Sequence, residues 1–246
     1  MKRNTWQLNL GIILIILSAL VYLFHFFIFR DPHHIFIYLV GDIAFVFIEV
    51  LMVTLVIHTL LNISEKRERL EKLNMLIGVF FSEIGTRLVA IFSDCDPNLD
   101  KIKKDLIIEA DWTEEEFNKV DTKLRNYQYS VNIKKIDLVN LRDFLLTKSD
   151  FLVRLLENPN LLEHESFTEL LRAVFHLDEE LRSRKNMKKF SKKDSEHISG
   201  DIMRAYSLLV NEWLDYMHYL KNNYPYLFSL AMRLNPFDEK AKPEIK

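Results

Sequence analysis

Residues 8–29 read LNLGIILIILSALVYLFHFFIF and contain no charged side chain. As an α-helix, these 22 residues extend about 33 Å at ~1.5 Å per residue, which is enough to cross a hydrocarbon core of about 30 Å. Lys2 and Arg3 precede the run as they would in a signal peptide, but the run is too long and no small-residue cleavage motif follows it. The stretch predicts a membrane-spanning helix.

A second apolar run occupies residues 35–61, and only the five residues RDPHH at 30–34 separate it from the first. Two helices joined so closely must form an antiparallel transmembrane hairpin, here placed within residues 1–64. Basic residues flank the outer ends of both runs, whereas Arg30 alone lies between them. These flanking residues are Lys2, Arg3, Lys66, Arg67, Arg69 and Lys72. The asymmetry predicts a multi-pass protein of the cytoplasmic (inner) membrane with both termini cytoplasmic.

The remaining composition predicts helices. The chain of 246 residues has 33 Lys+Arg against 35 Asp+Glu, which excludes a uniformly basic nucleic-acid-coating protein. Five Gly and six Pro are few, and the single Cys95 excludes an intrachain disulfide. We expect an all-α membrane protein in which the hairpin continues into a cytosolic helical bundle.

Residues 65–93 follow the hairpin and predict a helical stalk. Apolar residues recur there at three- and four-residue steps, which marks one apolar face. They are Leu70, Leu73, Ile77, Phe80, Ile84, Leu88 and Ile91. That face could pack on helices of the same domain or on the same helix of neighbouring subunits. Gly78 and Gly85 permit close backbone approach and also reduce helix propensity.

Residues 94–237 predict a cytosolic helical domain, and residues 238–246 a disordered tail. Helices are expected at about 99–109, 113–127, 134–147, 149–157, 165–184, 195–222 and 225–234. Thr113 with Glu116 has the spacing of a capping box, and Ser149 and Ser166 are further candidate caps. The alternation within residues 127–136 is the one weak strand signal.

No catalytic motif is present. The sequence lacks phosphate-binding glycine loops, HExxH, GxSxG and paired-cysteine metal spacing. The eight histidines are scattered, and His33-His34 in the loop lack further ligands nearby. We therefore expect no enzyme activity, no cofactor and no metal site.

Two acidic residues, Asp42 and Glu49, interrupt the second apolar run. Seven residues apart, they share one helix face about 10.5 Å apart along the axis. A carboxylate near the bilayer centre costs on the order of 3 kcal/mol unless it faces protein or water. The face predicts a pore lining in an oligomer, made of Asp42, Phe45, Val46, Glu49, Val53 and Val56. Alternatively, protonated carboxyl groups hydrogen-bond to the first helix, for example to Ser18 or His25.

The sequence RSRKNMKKFSKK at 182–193 has seven positive charges in twelve residues. Such a concentration attracts polyanions such as nucleic acid or anionic headgroups. The candidate ligand-binding residues are Arg182, Arg184, Lys185, Lys188, Lys189, Phe190, Lys192 and Lys193, with Phe190 as a base-stacking surface. A solvated linker between two helices is the alternative.

Three stretches carry a family resemblance: YLVGDIAF at 38–45, IEVL at 48–51 and EKLNMLIGVFFSEIG at 71–85. They resemble a widespread family of prokaryotic membrane proteins with two N-terminal helices and a cytosolic helical domain. The architecture also resembles the membrane effector of the Hailong anti-phage defence system, a tetrameric ion channel held shut by single-stranded DNA oligomers that a partner nucleotidyltransferase makes. This second resemblance implies that Asp42 and Glu49 belong to a conduction path and that the basic run binds an oligonucleotide.

Together these features predict a homo-oligomeric, ligand-gated and cation-permeable channel whose opening depolarises the membrane. Its partners would be membrane lipids, a single-stranded oligonucleotide and a nucleotidyltransferase. The alternative is a membrane-anchored helical scaffold or sensor that binds a protein partner and conducts nothing.

Overall fold

A computed structural model describes residues 3–161, 164–184, 187 and 190–244. Across these residues the secondary structure is helical and includes no strand, which confirms the all-α prediction. The chain divides into two compact units, Met1–Lys66 and Arg67–Lys246.

The first unit contains two helices that are long and apolar enough to cross a membrane. Helix α1 spans Arg3–Phe29, and helix α2 begins at Pro32. The turn between them uses Arg30 at a φ of 50° and Asp31, whose Oδ1 accepts hydrogen bonds from the backbone N–H groups of His33 and His34 at 3.0 and 3.3 Å. Asp31 thus caps α2, with Pro32 at the first helical position.

Helix α2, Pro32–Phe80, continues without a break into the second unit. A π-helical turn at Phe81–Gly85 and helix α3, Thr86–Ser93, follow it. The face predicted from the spacing is buried at Leu73, Ile77, Phe80, Ile84 and Leu88, whereas Leu70 is exposed and Ile91 is half-buried. Phe81, Val89 and Phe92, which the spacing did not include, are buried as well. Phe80 packs edge-on against Phe167, and Phe81 stacks on Tyr216, so helices of the same chain cover this face.

The second unit continues with helices α4 (Glu114–Arg125), α5 (Leu138–Leu156), α6 (Glu165–Ser183), α7 (Lys192–Asn223) and α8 (Pro225–Arg233). The Thr113–Glu116 capping box is present, as predicted. The predicted helices at 134–147 and 149–157 are instead the single helix α5. Ser149 lies inside it and accepts a hydrogen bond from Arg182, so it is not a cap. The N-cap of α6 is His164 rather than Ser166.

Residues 99–136 contain the other departures from prediction. The predicted helix 99–109 consists of two 3₁₀ turns, Leu99–Lys101 and Lys103–Leu106. The weak strand signal in residues 127–136 corresponds to an extended loop. Tyr127 fixes this loop by donating a hydrogen bond to Asp96 at 2.7 Å, and Tyr129 packs edge-on against Tyr206. The apolar alternation reflects burial of a loop, not pairing in a sheet.

Gly85 is needed at the π-helical turn, and this yields a testable prediction. A Cβ added at Gly85 would lie 2.5 Å from Cδ1 of the buried Phe81 ring. We expect Gly85→Ala to lower the free energy of unfolding by about 1–2 kcal/mol, because ring displacement outweighs the gain in helix propensity.

Gly200→Ala is the matched control. No atom lies within 4 Å of a Cβ added at Gly200, which lies inside α7. This change should raise the free energy of unfolding by about 0.5–1 kcal/mol. Chemical denaturation of the two variants in detergent measures both values, and equal effects would contradict a steric role for Gly85.

Candidate functional site

The predicted pore-lining residues all lie on the apolar part of α2. Asp42 and Glu49 are exposed in the single chain, as are Phe45, Val46, Val53 and Val56. Among the residues of this unit whose burial the structure describes, five are half-buried and the others are exposed. The half-buried residues are Gly11, Tyr22, His25, Ile35 and Leu39. The isolated chain therefore leaves most of its apolar helix surface uncovered.

The two acidic residues have different surroundings. Asp42 accepts a hydrogen bond from the Tyr22 hydroxyl of α1 at 3.4 Å and borders a cleft of about 600 Å³ that His25 and Tyr38 also line. Glu49 makes no hydrogen bond or ion pair with any residue that the structure describes. Within one chain, the first helix thus contacts Asp42 through Tyr22 and leaves Glu49 without a partner.

The basic run is divided by its contacts. Arg182 donates to Asp178 and Ser149, and Arg184 hydrogen-bonds to Glu180 at 2.6 Å and to Asp194 at 2.7 Å. Phe190 packs against the hydrophobic core. Lys192 and Lys193 are exposed at the start of α7. The other predicted ligands, Lys185, Lys188 and Lys189, lie outside the described residues.

A cluster that the sequence analysis missed lies between α6 and α7. His176 and Glu180 are four residues apart on α6, and His197 and Asp201 are four residues apart on α7. The Nε2 atoms of His176 and His197 lie 3.6 and 3.4 Å from Oδ2 of Asp201. Asp201 is only 5% exposed, and its Oδ2 accepts no hydrogen bond from the described residues.

Glu180 adds a second carboxylate to this cluster. Its Oε2 lies 3.4 Å from Nε2 of His197, and its Oε1 lies 3.9 Å from Nε2 of His176. The hydrogen bond from Arg184 is the main reason why the pKa of Glu180 lies below its ordinary value. The carboxylate is thus ionised at neutral pH. Two imidazoles and two carboxylates at these distances can share protons or coordinate a cation.

Repeated i,i+4 spacing was the only sequence signal for this cluster. His176-x₃-Glu180 and His197-x₃-Asp201 each place two polar side chains on one helix face. The basic run separates the two pairs along the chain, and nothing in the sequence specifies that their helix faces pack against each other.

A third buried carboxyl group, Glu212, lies on α7 and is 4% exposed. Burial raises its pKa to about 7, the Ser166 hydroxyl opposes this shift, and the neighbouring Asp215 adds to it. Burial also raises the pKa of Asp215 itself. A group with this pKa changes charge near neutral pH.

Models of two domains of one protein family match the two units of the chain. A model of the N-terminal helical domain of MJ1433 matches residues 2–61, and a model of the C-terminal helical domain of "Uncharacterized protein MJ1433" matches residues 69–233. The Methanocaldococcus jannaschii protein of that name is 45% identical over 241 residues, which cover 98% of this chain and 97% of the relative.

The chain belongs to the MJ1433 family. The two family domains meet between residues 61 and 69, and the structural units divide between Lys66 and Arg67. No solved structure matches the chain. Family membership therefore supports the two-domain helical organisation and does not itself identify an activity.

The buried Glu212 predicts a pH dependence of stability. Its pKa is higher in the folded state, so its contribution to stability is complete below about pH 4.5 and is lost as the pH rises through about 7. We expect Glu212→Gln to gain stability relative to the parent over this interval, by on the order of 3 kcal/mol.

Denaturation at several pH values measures this difference. Glu169→Gln is the matched control, because Glu169 is exposed on α6 and its replacement should give a difference independent of pH. A Glu212→Gln difference that stays constant between pH 4.5 and 8 would contradict the shifted pKa.

Proposed function

We propose that the protein is a homo-oligomeric channel of the cytoplasmic membrane that passes cations along a path lined by α2. The supporting observation is Glu49, a carboxyl group inside an apolar helix that forms no hydrogen bond or ion pair with the described residues of the same chain. An unpaired carboxylate in the hydrocarbon region costs on the order of 3 kcal/mol. A water-filled path between copies removes that cost.

The exposed surface of α1 and α2 supports assembly of several copies. Two helices cannot enclose a water-filled path, so each chain would contribute one hairpin to a ring, with four copies taken from the resemblance to the defence effector. Asp42 and Glu49 would form two rings of carboxylates that favour cations. Phe45, Val46, Val53 and Val56 would form apolar rings that close the path by dewetting.

The proposed gating ligand is a single-stranded oligonucleotide, supplied by a partner nucleotidyltransferase as the resemblance implies. Binding that is tighter in the shut assembly than in the open one would bias the equilibrium toward the shut state. Loss of the ligand would then open the path and depolarise the cell. Among the described basic residues, Lys192 and Lys193 are exposed, and Nζ of Lys192 lies 3.9 Å from Oε1 of Glu196. These lysines fit phosphate contact better than Arg182 and Arg184, whose guanidinium groups hydrogen-bond to carboxylates.

Conductance of the full-length protein in planar bilayers tests conduction. We expect discrete currents with cations favoured over anions. Glu49→Gln should lower the cation-over-anion permeability ratio because it removes one charge per subunit from the path. Asp42→Asn should lower the same ratio.

Glu114→Gln is the matched control, because it removes the same charge from an exposed position of the helical domain and should leave the ratio unchanged. Currents from Glu49→Gln and Asp42→Asn that match those of the parent would refute the acidic lining. A monomeric protein without currents would instead support a membrane-anchored scaffold or sensor.

Oligonucleotide binding is tested with a pair of double variants. Lys192→Gln/Lys193→Gln should weaken binding of short single-stranded DNA, and should reduce the slope of log K against log salt concentration by about 0.7 for each phosphate that the variant no longer neutralises. Lys134→Gln/Lys135→Gln removes two other exposed lysines and should leave the slope unchanged. DNA titrations at several salt concentrations measure both slopes. Equal slopes for the two double variants would indicate that the basic run is a solvated linker and not a binding site.

A further inference from the structure

We propose that His176, His197 and Asp201 bind a divalent transition-metal ion such as Zn²⁺ between α6 and α7. One ligand atom from each of the three residues lies within 4.8 Å of the other two. The site lies entirely within the helical domain. It is therefore independent of the conduction proposed above.

The distances already approach those of a coordination shell. Zinc bonds of about 2.0–2.1 Å at tetrahedral angles place neighbouring ligand atoms about 3.3–3.4 Å apart. The Nε2 atoms of His197 and His176 lie 3.4 and 3.6 Å from Oδ2 of Asp201. The His197–Asp201 pair already has this spacing, and the His176–Asp201 pair is slightly wider. The two imidazole ligand atoms lie within 4.8 Å of each other, so the imidazoles would move closer together when the ion binds.

Asp201 provides a second, independent observation. Its side chain is buried, and Oδ2 faces the two imidazoles without accepting a hydrogen bond from the described residues. The other oxygen, Oδ1, lies 3.8 Å from Nη1 of Arg204. A buried carboxylate oxygen without a donor is costly, and a bound cation would compensate it directly.

Glu180 lies next to the fourth coordination position. Arg184 holds its Oε2, and Arg184 in turn contacts Asp194. Oε1 remains directed toward His176 at 3.9 Å. Two carboxylates facing one cation give the site a charge that suits a divalent ion, and the arginine fixes the orientation of Glu180.

The donor set selects the class of metal. Imidazole nitrogen favours Zn²⁺ and the neighbouring transition metals, whereas Mg²⁺ and Ca²⁺ prefer shells of oxygen. Proton sharing is the competing use of the cluster, because protonated imidazoles would form ion pairs with Asp201 and Glu180. Metal binding requires neutral imidazoles, so binding of the ion and protonation of the two histidines exclude each other.

Binding would join α6 and α7 on either side of the basic run. His176 and Glu180 precede that run, and His197 and Asp201 follow it. One ion would thus connect the two helices that the run links. Because the ion binds only the folded arrangement, the domain would be stabilised by metal.

The experiment uses full-length protein in detergent, first stripped with a chelator and then dialysed. Calorimetric titration with Zn²⁺ should show one equivalent bound per chain. Zn²⁺ at a hundredfold excess over Kd should raise the melting temperature by about 5–10 °C. Co²⁺ in place of Zn²⁺ should give the visible absorption of a four-coordinate site with nitrogen and oxygen ligands.

Asp201→Asn and His197→Gln should each weaken Zn²⁺ binding at least about a hundredfold, because loss of a direct ligand exceeds the ~10–100-fold effect of a group behind the ligands. Glu180→Gln should weaken it less. Half-exposed His197 allows substitution without disturbing the core, and circular dichroism verifies that each variant is folded.

The double variant His33→Ala/His34→Ala is the control for adventitious binding by exposed histidines. It should retain the full equivalent of Zn²⁺. Unchanged affinity in folded Asp201→Asn and His197→Gln would overturn the proposal. Equal competition by Mg²⁺ would overturn it as well, and so would loss of Zn²⁺ only in the His33/His34 variant.

Discussion

The free-energy cost of burying a carboxyl group constrains how α6 and α7 pack. These helices form the centre of the second unit and carry three acidic side chains with 5% exposure or less: Asp178, Asp201 and Glu212. The three differ in how far their surroundings compensate this cost. Asp178 is paired with Arg182, Glu212 has its pKa raised to about 7 and can take up a proton, and Asp201 faces two imidazoles.

Coverage of the apolar face from Leu73 to Phe92 determines which surfaces remain for assembly. Because α6 and α7 of the same chain contact this face through Phe167 and Tyr216, it is not available to neighbouring subunits in this arrangement. Most of the exposed large apolar side chains lie instead on α1 and on the first part of α2. Subunit contacts in an oligomer would therefore be sought among the apolar helices.

Local signals predicted much of the fold. Both apolar helices, the Thr113–Glu116 capping box and the break at Pro225 follow from the identities of neighbouring residues. Sequence reasoning failed where a distant partner decides the local structure. Ser149 resembles a cap but accepts a hydrogen bond from Arg182, 33 residues away. The loop at 127–136 resembles a strand because its half-buried tyrosines contact Asp96 and Tyr206.

The candidate sites also differ in whether local sequence or the packing of distant residues determines them. Asp42 and Glu49 can be predicted from sequence, because a charged residue inside an apolar run is recognised without knowledge of how the helix packs. The ion pairs of Arg182 and Arg184 could also have been predicted, since Asp178 and Glu180 precede them by four residues on one helix. The His176–His197–Asp201 cluster could not, because it depends on the packing of α6 against α7.

The cost of a carboxyl group without a hydrogen-bond donor also applies to the apolar part of α2. Asp42 has Tyr22 as a donor within its own chain, so the hairpin itself would partly compensate the cost of placing Asp42 in a bilayer. Glu49 has no such donor among the described residues, and the side chains around it, such as Ile48, Val50 and Val53, are apolar. In the proposed channel a lipid tail would offer Glu49 no hydrogen bond, and another copy of the chain or water held between copies would compensate its charge. Glu49 is therefore the residue on which the proposed assembled path rests.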